Sequence, residues 1–189
     1  MYYRLDGNIT DASLDSLINV VNDLQPFESF DLYLRGNGGE LGVADAIISI
    51  LNKVALTNTL NIYGYEYLIS SHFHIFFKTK AHSKILSSQS YGMIHKGSWK
   101  ADLLEGGNMR KDDYDLFMKD YYASSDTLKE LHKFVKFNAE ETKKFKNNQD
   151  VYIMYDRMQD ILNYNKTKTI LKPIKLKIDE SNFKEFVVT

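Results

Sequence analysis

Asp31-Leu-Tyr-Leu-Arg-Gly-Asn-Gly38-Gly39 reads as a buried strand running into a glycine turn, and its neighbours on either side decide the fold. Phe30 to Leu34 is the apolar run. Gly36-Asn37-Gly38-Gly39 has turn chemistry and can offer backbone N–H groups. Upstream, Tyr2 to Ile9 has strand character and ends at Gly7-Asn8. Between the two, Thr10 or Asp11 caps a helix with Leu14, Leu17, Ile18, Val21 and Leu24 at helical spacing, and Pro26 closes it. Downstream, Val43, Ile47, Ile50, Leu51 and Val54 mark a second helix, and Leu60 to Tyr63 a third strand. Ser70 to Phe77 reads as helix; Lys84 to Ser87 and Gly92 to His95 read as strands. This βαβαβ order predicts an α/β fold with a mostly parallel sheet and helices packed on it.

The rest of the chain is less regular. Asp112 to Phe137 reads as a long charged helix with Leu116, Phe117, Tyr121, Leu128, Leu131 and Val135 irregularly spaced. Such a helix is expected to project from the body and bind another copy. The charges of residues 110–146 read as a solvated helix surface. Asn138 is a good N-cap for a short helix that begins Asn138-Ala-Glu-Glu. From Asn163 onward lies a Lys-rich tail, with strand-like alternation at Ile174, Leu176 and Ile178. We therefore read residues 1–163 as one domain and 164–189 as a C-terminal tail or extra strand.

Composition narrows the function. The 189 residues are 43% hydrophobic and 13% aromatic, enough for a real core and far from a disordered composition. A net charge of −1 gives no electrostatic case for nucleic acid. Without cysteine there is neither a disulfide framework nor thiolate chemistry. The start, Met-Tyr-Tyr-Arg-Leu-Asp-Gly, lacks a signal segment, and the apolar run around Ile75-Phe-Phe is too short to span a bilayer. The expectation is a cytoplasmic protein with no membrane or nucleic-acid partner.

Candidate chemistry lies at Ile69-Ser70-Ser71 and Met93-Ile94-His95. A hydroxyl pair follows one apolar run, and a lone histidine ends another 25 residues on from Ser70. That distance accommodates a helix out and a strand back. A nucleophile, a base and a glycine turn with exposed N–H groups are the parts of an acyl-transfer site. Each part alone has a plain structural reading. Ser70-Ser71 serves as a helix N-cap pair, His95 as a packed histidine, and Gly38-Gly39 as a tight turn that could equally hold a phosphate. His72-Phe-His74 suggests a metal at first sight, but in a helix the two rings point in different directions, so no metal site is expected.

In this order and spacing the motifs resemble the proteolytic subunit of Clp protease. Tyr3-Arg-Leu-Asp-Gly-Asn-Ile resembles the family's first strand and its Gly-polar-hydrophobic turn. Gly36-Asn37-Gly38-Gly39 resembles a Ser-Pro-Gly-Gly turn, Ile69-Ser70-Ser71 an Ala-Ser-Met nucleophile motif, and Met93-Ile94-His95 is identical to the base motif. The likeness covers roughly residues 1–163 and is patchy; Gly38-Gly39 and Met93-Ile94-His95 are its specific parts. It implies a ClpP/crotonase-like spiral of ββα units with a protruding handle helix, residues 112–137 here. It also implies a serine endopeptidase that cleaves peptides or unfolded protein inside a homo-oligomeric ring, without a cofactor. Ser70 would be the nucleophile and His95 the base, with Gly38 or Gly39 and Ser71 as oxyanion donors. The alternative is a catalytically silent ring subunit. A crotonase-like acyl-CoA enzyme would use the glycine turn and leave the Ser–His pair idle.

The departures from the family pattern are informative. Glu66 stands where a glycine is usual, four before the nucleophile. His72 stands where a second glycine is usual, and its ring is expected to crowd a substrate carbonyl. The third member of the triad is expected near Lys146-Asn147-Asn148, counting back from Asp160-Ile-Leu-Asn163, which resembles a Gly-Leu-Val-Asp segment. No carboxylate lies there; Asp150 is the nearest, and Asn147 is the alternative. The first strand begins almost at Met1, with no axial segment before it, so stable docking of a Clp-type ATPase is not expected.

Overall fold

The computed structural model describes residues 1–95, 133–147 and 149–164. Its elements are β1 (Tyr2–Ile9), α1 (Asp11–Asn22), β2 (Ser29–Gly39), α2 (Leu41–Thr57), β3 (Thr59–Ile69), α3 (Ser71–Lys78), β4 (Ser83–Leu86), β5 (Tyr91–Ile94), α4 (Ala139–Lys146), β6 (Val151–Met154) and α5 (Tyr155–Tyr164). Among the described residues they form a six-stranded sheet in the order β1-β2-β3-β5-β6, with β4 also on β3. All pairings are parallel except β5 with β6. Parallel strands need crossovers, and α1, α2 and α3 supply them in turn.

Alternation along β1 and β2 buries Tyr3, Leu5, Phe30, Leu32 and Leu34 on one face. Against that face lie Val43, Ala44, Ile47, Leu51 and Val54 of α2 and Leu17 and Val20 of α1. The entry to α1 is fixed by Ser13, whose Oγ accepts from the Thr10 N–H at 3.0 Å. Helix α3 differs from these amphipathic helices: Ser71 to Phe77 are all buried. A helix enclosed all round is a central element, and here Phe73 packs on Phe77 with ring centroids 4.3 Å apart.

Two features of the sheet position the site. First, the Gly36–Gly39 segment is not the turn that its composition predicts. It continues β2, with Asn8 opposite Gly38 and Ile9 opposite Gly39. Gly38 and Gly39 take φ of +102° and +140°, so glycine is needed, but strand pairing keeps the segment extended. A Cβ on Gly39 would lie 2.5 Å from the Ile9 nitrogen, so the two backbones touch.

Second, β3 is bulged. Leu34 pairs with Gly64 and Gly36 with Leu68, so Tyr65, Glu66 and Tyr67 face Arg35 alone. Glu66 has φ +53°, the left-handed region that favours glycine. Both its carboxylate oxygens accept from Arg35 at 3.1 Å. The bulge redirects the strand. Before it, Asn61 to Gly64 pair with β4; after it, Tyr67 to Ile69 pair with β5.

The expected handle helix, residues 112–137, and the tail after Tyr164 lie outside the described residues, apart from residues 133–137. Those five are not helical: Lys133 and Phe134 form a turn, and Val135 and Phe137 are buried. Asn138 caps α4 as expected, accepting from the Glu141 N–H at 2.8 Å while Glu141 accepts from the Asn138 N–H at 2.7 Å. Strand β6 and helix α5, which follow, have no counterpart in the sequence reading. Arg157 of α5 holds Glu141 of α4 through two bonds of 2.9 Å. Among the described residues no helix is long and apolar enough to cross a membrane.

Candidate active site

Ser70 stands at the junction of β3 and α3 with φ +53° and ψ −116°. That is a costly conformation for a residue with a Cβ, and it persists only where surrounding bonds enforce it. Here the Ser70 N–H donates to the Met93 carbonyl at 2.8 Å and the His74 N–H donates to the Ser70 carbonyl at 3.1 Å. The pairing of Ile69 with Met93 brings the ends of β3 and β5 level. The next residues out, Ser70 and His95, therefore meet beyond the strand ends.

Ser70 Oγ lies 2.9 Å from His95 Nε2. With its proton on Nδ1, the His95 ring can accept the Ser70 hydroxyl proton at Nε2. The Nδ1 side faces Asp150, whose Oδ1 is 3.9 Å away, within ion-pair range but beyond a hydrogen bond. Both side chains are part-exposed, His95 at 31% and Asp150 at 48%. Asn147 is the C-cap of α4, and its N–H donates to the Lys143 and Lys144 carbonyls at 3.1 Å. Of the two sequence candidates, Asp150 is the one whose carboxylate comes within ion-pair range of His95.

The glycine strand borders Ser70 on its other side. A Cβ on Gly38 would lie 2.6 Å from Ser70 Cβ and 3.2 Å from Ser70 Oγ, so only glycine fits beside the hydroxyl. The two serines have separate partners. Ser71 Oγ donates to the Gly39 carbonyl at 2.7 Å, tying the glycine strand to the first turn of α3. The Ser71 N–H, at the first position of α3, has no intrahelical acceptor.

Gly38 or Gly39 was the glycine expected to offer its N–H to an oxyanion, and the Gly38 N–H already has a partner. It donates to His72 Nδ1 at 3.2 Å. His72 is fully buried, and its ring lies over Gly36, where any Cβ would collide with the imidazole and with the Gly7 carbonyl. Burial pushes its pKa down to about 4, against the opposing pull of the nearby Leu5 backbone and Asp6. Since Nδ1 accepts, the neutral ring carries its proton on Nε2, which is buried without a hydrogen-bond partner. The sequence marked His72 by its bulk; nothing in it named Gly38 as the partner.

His74 is also buried, at 7% exposed, and its pKa is likewise about 4, through burial and then Lys78. Its Nδ1 has no hydrogen-bond partner and its ring meets Phe134 at 5.9 Å. Among the described residues no group of three or more metal-ligating side chains gathers. Outside this site, Asp6 accepts from Arg4, from Tyr65 at 2.6 Å and from Arg35 at 3.0 Å, buttressing the bulge of β3.

No protein-family model matches the chain, and no curated protein matches it. Solved structures do. A point variant of ClpP1 from Listeria monocytogenes superposes with a TM-score of 0.62 over 85% of this chain and 86% of its own, at 12% sequence identity. At that identity the likeness speaks for architecture alone, and the architecture of this chain is ClpP-like.

Proposed function

We propose that this chain is a serine peptidase in which Ser70 attacks a peptide carbonyl and His95 takes its proton. The observation that carries this reading is the 2.9 Å contact between Ser70 Oγ and His95 Nε2, made by a serine held at positive φ where a strand turns into a helix. In the first step a bond forms from Ser70 Oγ to the carbonyl carbon as the proton moves to Nε2. His95 then returns that proton to the leaving amine, and water repeats the sequence to release the acid. Asp150 holds the imidazolium by charge across 3.9 Å. The Ser71 N–H serves as the first oxyanion donor, and Gly38 as the second once its bond to His72 opens. We give Gly39, held by Ser71 and packed on Ile9, the part of support.

On the ClpP-like architecture we propose peptide or unfolded protein as substrate and self-association into a ring; the cytoplasmic setting and the absence of a cofactor remain expectations from the sequence. Short peptides would then need no ATPase. Fluorophosphonate labelling tests the chemistry: Ser70 should carry the adduct in wild type, and Ser70→Ala and His95→Ala should carry none. Labelling of Ser71, or of no serine, would refute it. Two observations favour a silent ring subunit as second reading, namely the Gly38 N–H already engaged and the Asp150 carboxylate outside hydrogen-bond range.

A further inference from the structure

The strand that would stabilise the oxyanion is held at two points by α3. Ser71 takes the Gly39 carbonyl through its hydroxyl, and His72 takes the Gly38 N–H through Nδ1. Consecutive residues of one helical turn thus hold the Gly38 N–H and the Gly39 carbonyl. Neither grip is loose: Ser71 and His72 are 1% and 0% exposed. The imidazole is wedged against Gly36, so it cannot retreat without moving β2.

We propose that His72 is a built-in competitor for the Gly38 N–H, a positioning residue that restrains acyl transfer at Ser70 until a substrate oxyanion displaces its Nδ1. This rests on the serine-peptidase reading. The physical reason is exchange of acceptors. In the resting site the N–H is satisfied by a neutral nitrogen. At the tetrahedral stage it is offered a charged oxygen, and charge-assisted hydrogen bonds are the stronger kind. The exchange leaves Nδ1 of a fully buried ring without a partner. Part of the oxyanion stabilisation is therefore spent on opening the His72 bond, and turnover is slow. Removing one oxyanion donor costs about 10²–10³ in rate, which bounds the restraint.

The test uses two variants and two readouts. His72→Ala removes the acceptor; His72→Asn keeps an acceptor oxygen near the place of Nδ1. Amide hydrogen exchange by NMR reads the Gly38 bond without reference to activity, and the rate of fluorophosphonate labelling reads the chemistry. Expected for His72→Ala is Gly38 exchange at least 10-fold faster and Ser70 labelling 10- to 100-fold faster, with both near wild type in His72→Asn. A third measurement needs no substitution. When wild-type Ser70 is phosphonylated, the ¹⁵N resonance of His72 Nδ1 should move to that of an unbonded acceptor. An unmoved resonance, or equal Gly38 exchange in all three proteins, would overturn the competitor. Faster Gly38 exchange with unchanged labelling of Ser70 would overturn the restraint while leaving the serine peptidase standing. No labelling of Ser70 in any protein, with Gly38 released in His72→Ala, would bring down the peptidase reading and the restraint with it.

Discussion

His95 contacts the Ser70 hydroxyl and His72 the neighbouring Gly38, and the fold treats the two rings differently. His95 follows β5, is part-exposed, and shares a 2.9 Å contact with the Ser70 hydroxyl. His72 lies inside α3, is fully buried, and spends Nδ1 on a backbone N–H. One imidazole keeps access to water and lies 3.9 Å from a carboxylate. The other is held neutral, its pKa at about 4 through burial, and acts as a fixed acceptor. Solvation, set by the elements around each ring, separates the part-exposed imidazole from the buried one.

The largest effect should come from breaking the His95 side. Ser70→Ala or His95→Ala is expected to reduce peptide turnover by on the order of 10⁴–10⁶ while leaving the thermal midpoint within a few degrees, because neither side chain is buried in the core. Parallel turnover and melting measurements check this; turnover retained in either variant would separate the pair from the chemistry.

Acid should break the His72 side next. The folded-state pKa of His72 and of His74 is about 4 against 6.5 for the free side chain. Between those values the unfolded chain binds protons that the folded chain refuses. Stability is therefore fully present above pH 6.5 and is lost as pH falls toward 4, by up to roughly 3 kcal/mol for each histidine. Urea unfolding at pH 7 and pH 4.5 measures the loss, and His72→Asn should remove about half of it. A flat profile would mean that the two rings are not buried neutral.

A steric test sharpens the same side. Gly36→Ala puts a methyl group into both the His72 ring and the Gly7 carbonyl. We expect about 3 kcal/mol of destabilisation, the upper end of the range for overpacking, since neither neighbour is a flexible chain end. The double variant Gly36→Ala/His72→Ala should recover only the His72 share of that loss in a denaturation series, since the Gly7 carbonyl still faces the added methyl.

The smallest effects belong to the third position. Asp150 is 3.9 Å from His95 and 48% exposed, so its field is well screened. Asp150→Asn should lower turnover by about 10-fold, well short of the roughly 10⁴ seen where the carboxylate is buried and bonded. Asn147→Asp, at the end of α4, should change it by less than about twofold. A larger effect of Asn147 than of Asp150 would reverse their assignment.

Much of the architecture was legible in the chain. Strands β1, β4 and β5, helices α1, α2 and α3, and the Asn138 cap follow from periodicity and capping residues, which depend on neighbours a few positions away. The separation of Ser70 from His95 was legible for a related reason: one helix and one strand fix that reach. Strand β6 and helix α5 were missed because Val151 to Tyr164 carry short patterns, and it is pairing with β5 that makes Val151–Met154 a strand.

Only tertiary contact decided the rest. Gly36-Asn37-Gly38-Gly39 has the composition of a turn and became strand because β3 pairs with Gly36 and β1 with Gly38 and Gly39. Glu66 occupies a left-handed position with Arg35 as its counterion, a partner 31 residues away. His72 meets Gly38 across 34 residues. Sequence patterns set which face of an element is buried, because burial repeats with the element's own period. The atom that a buried polar group will meet is set by the packing of distant elements, as His72 beneath Gly38 shows.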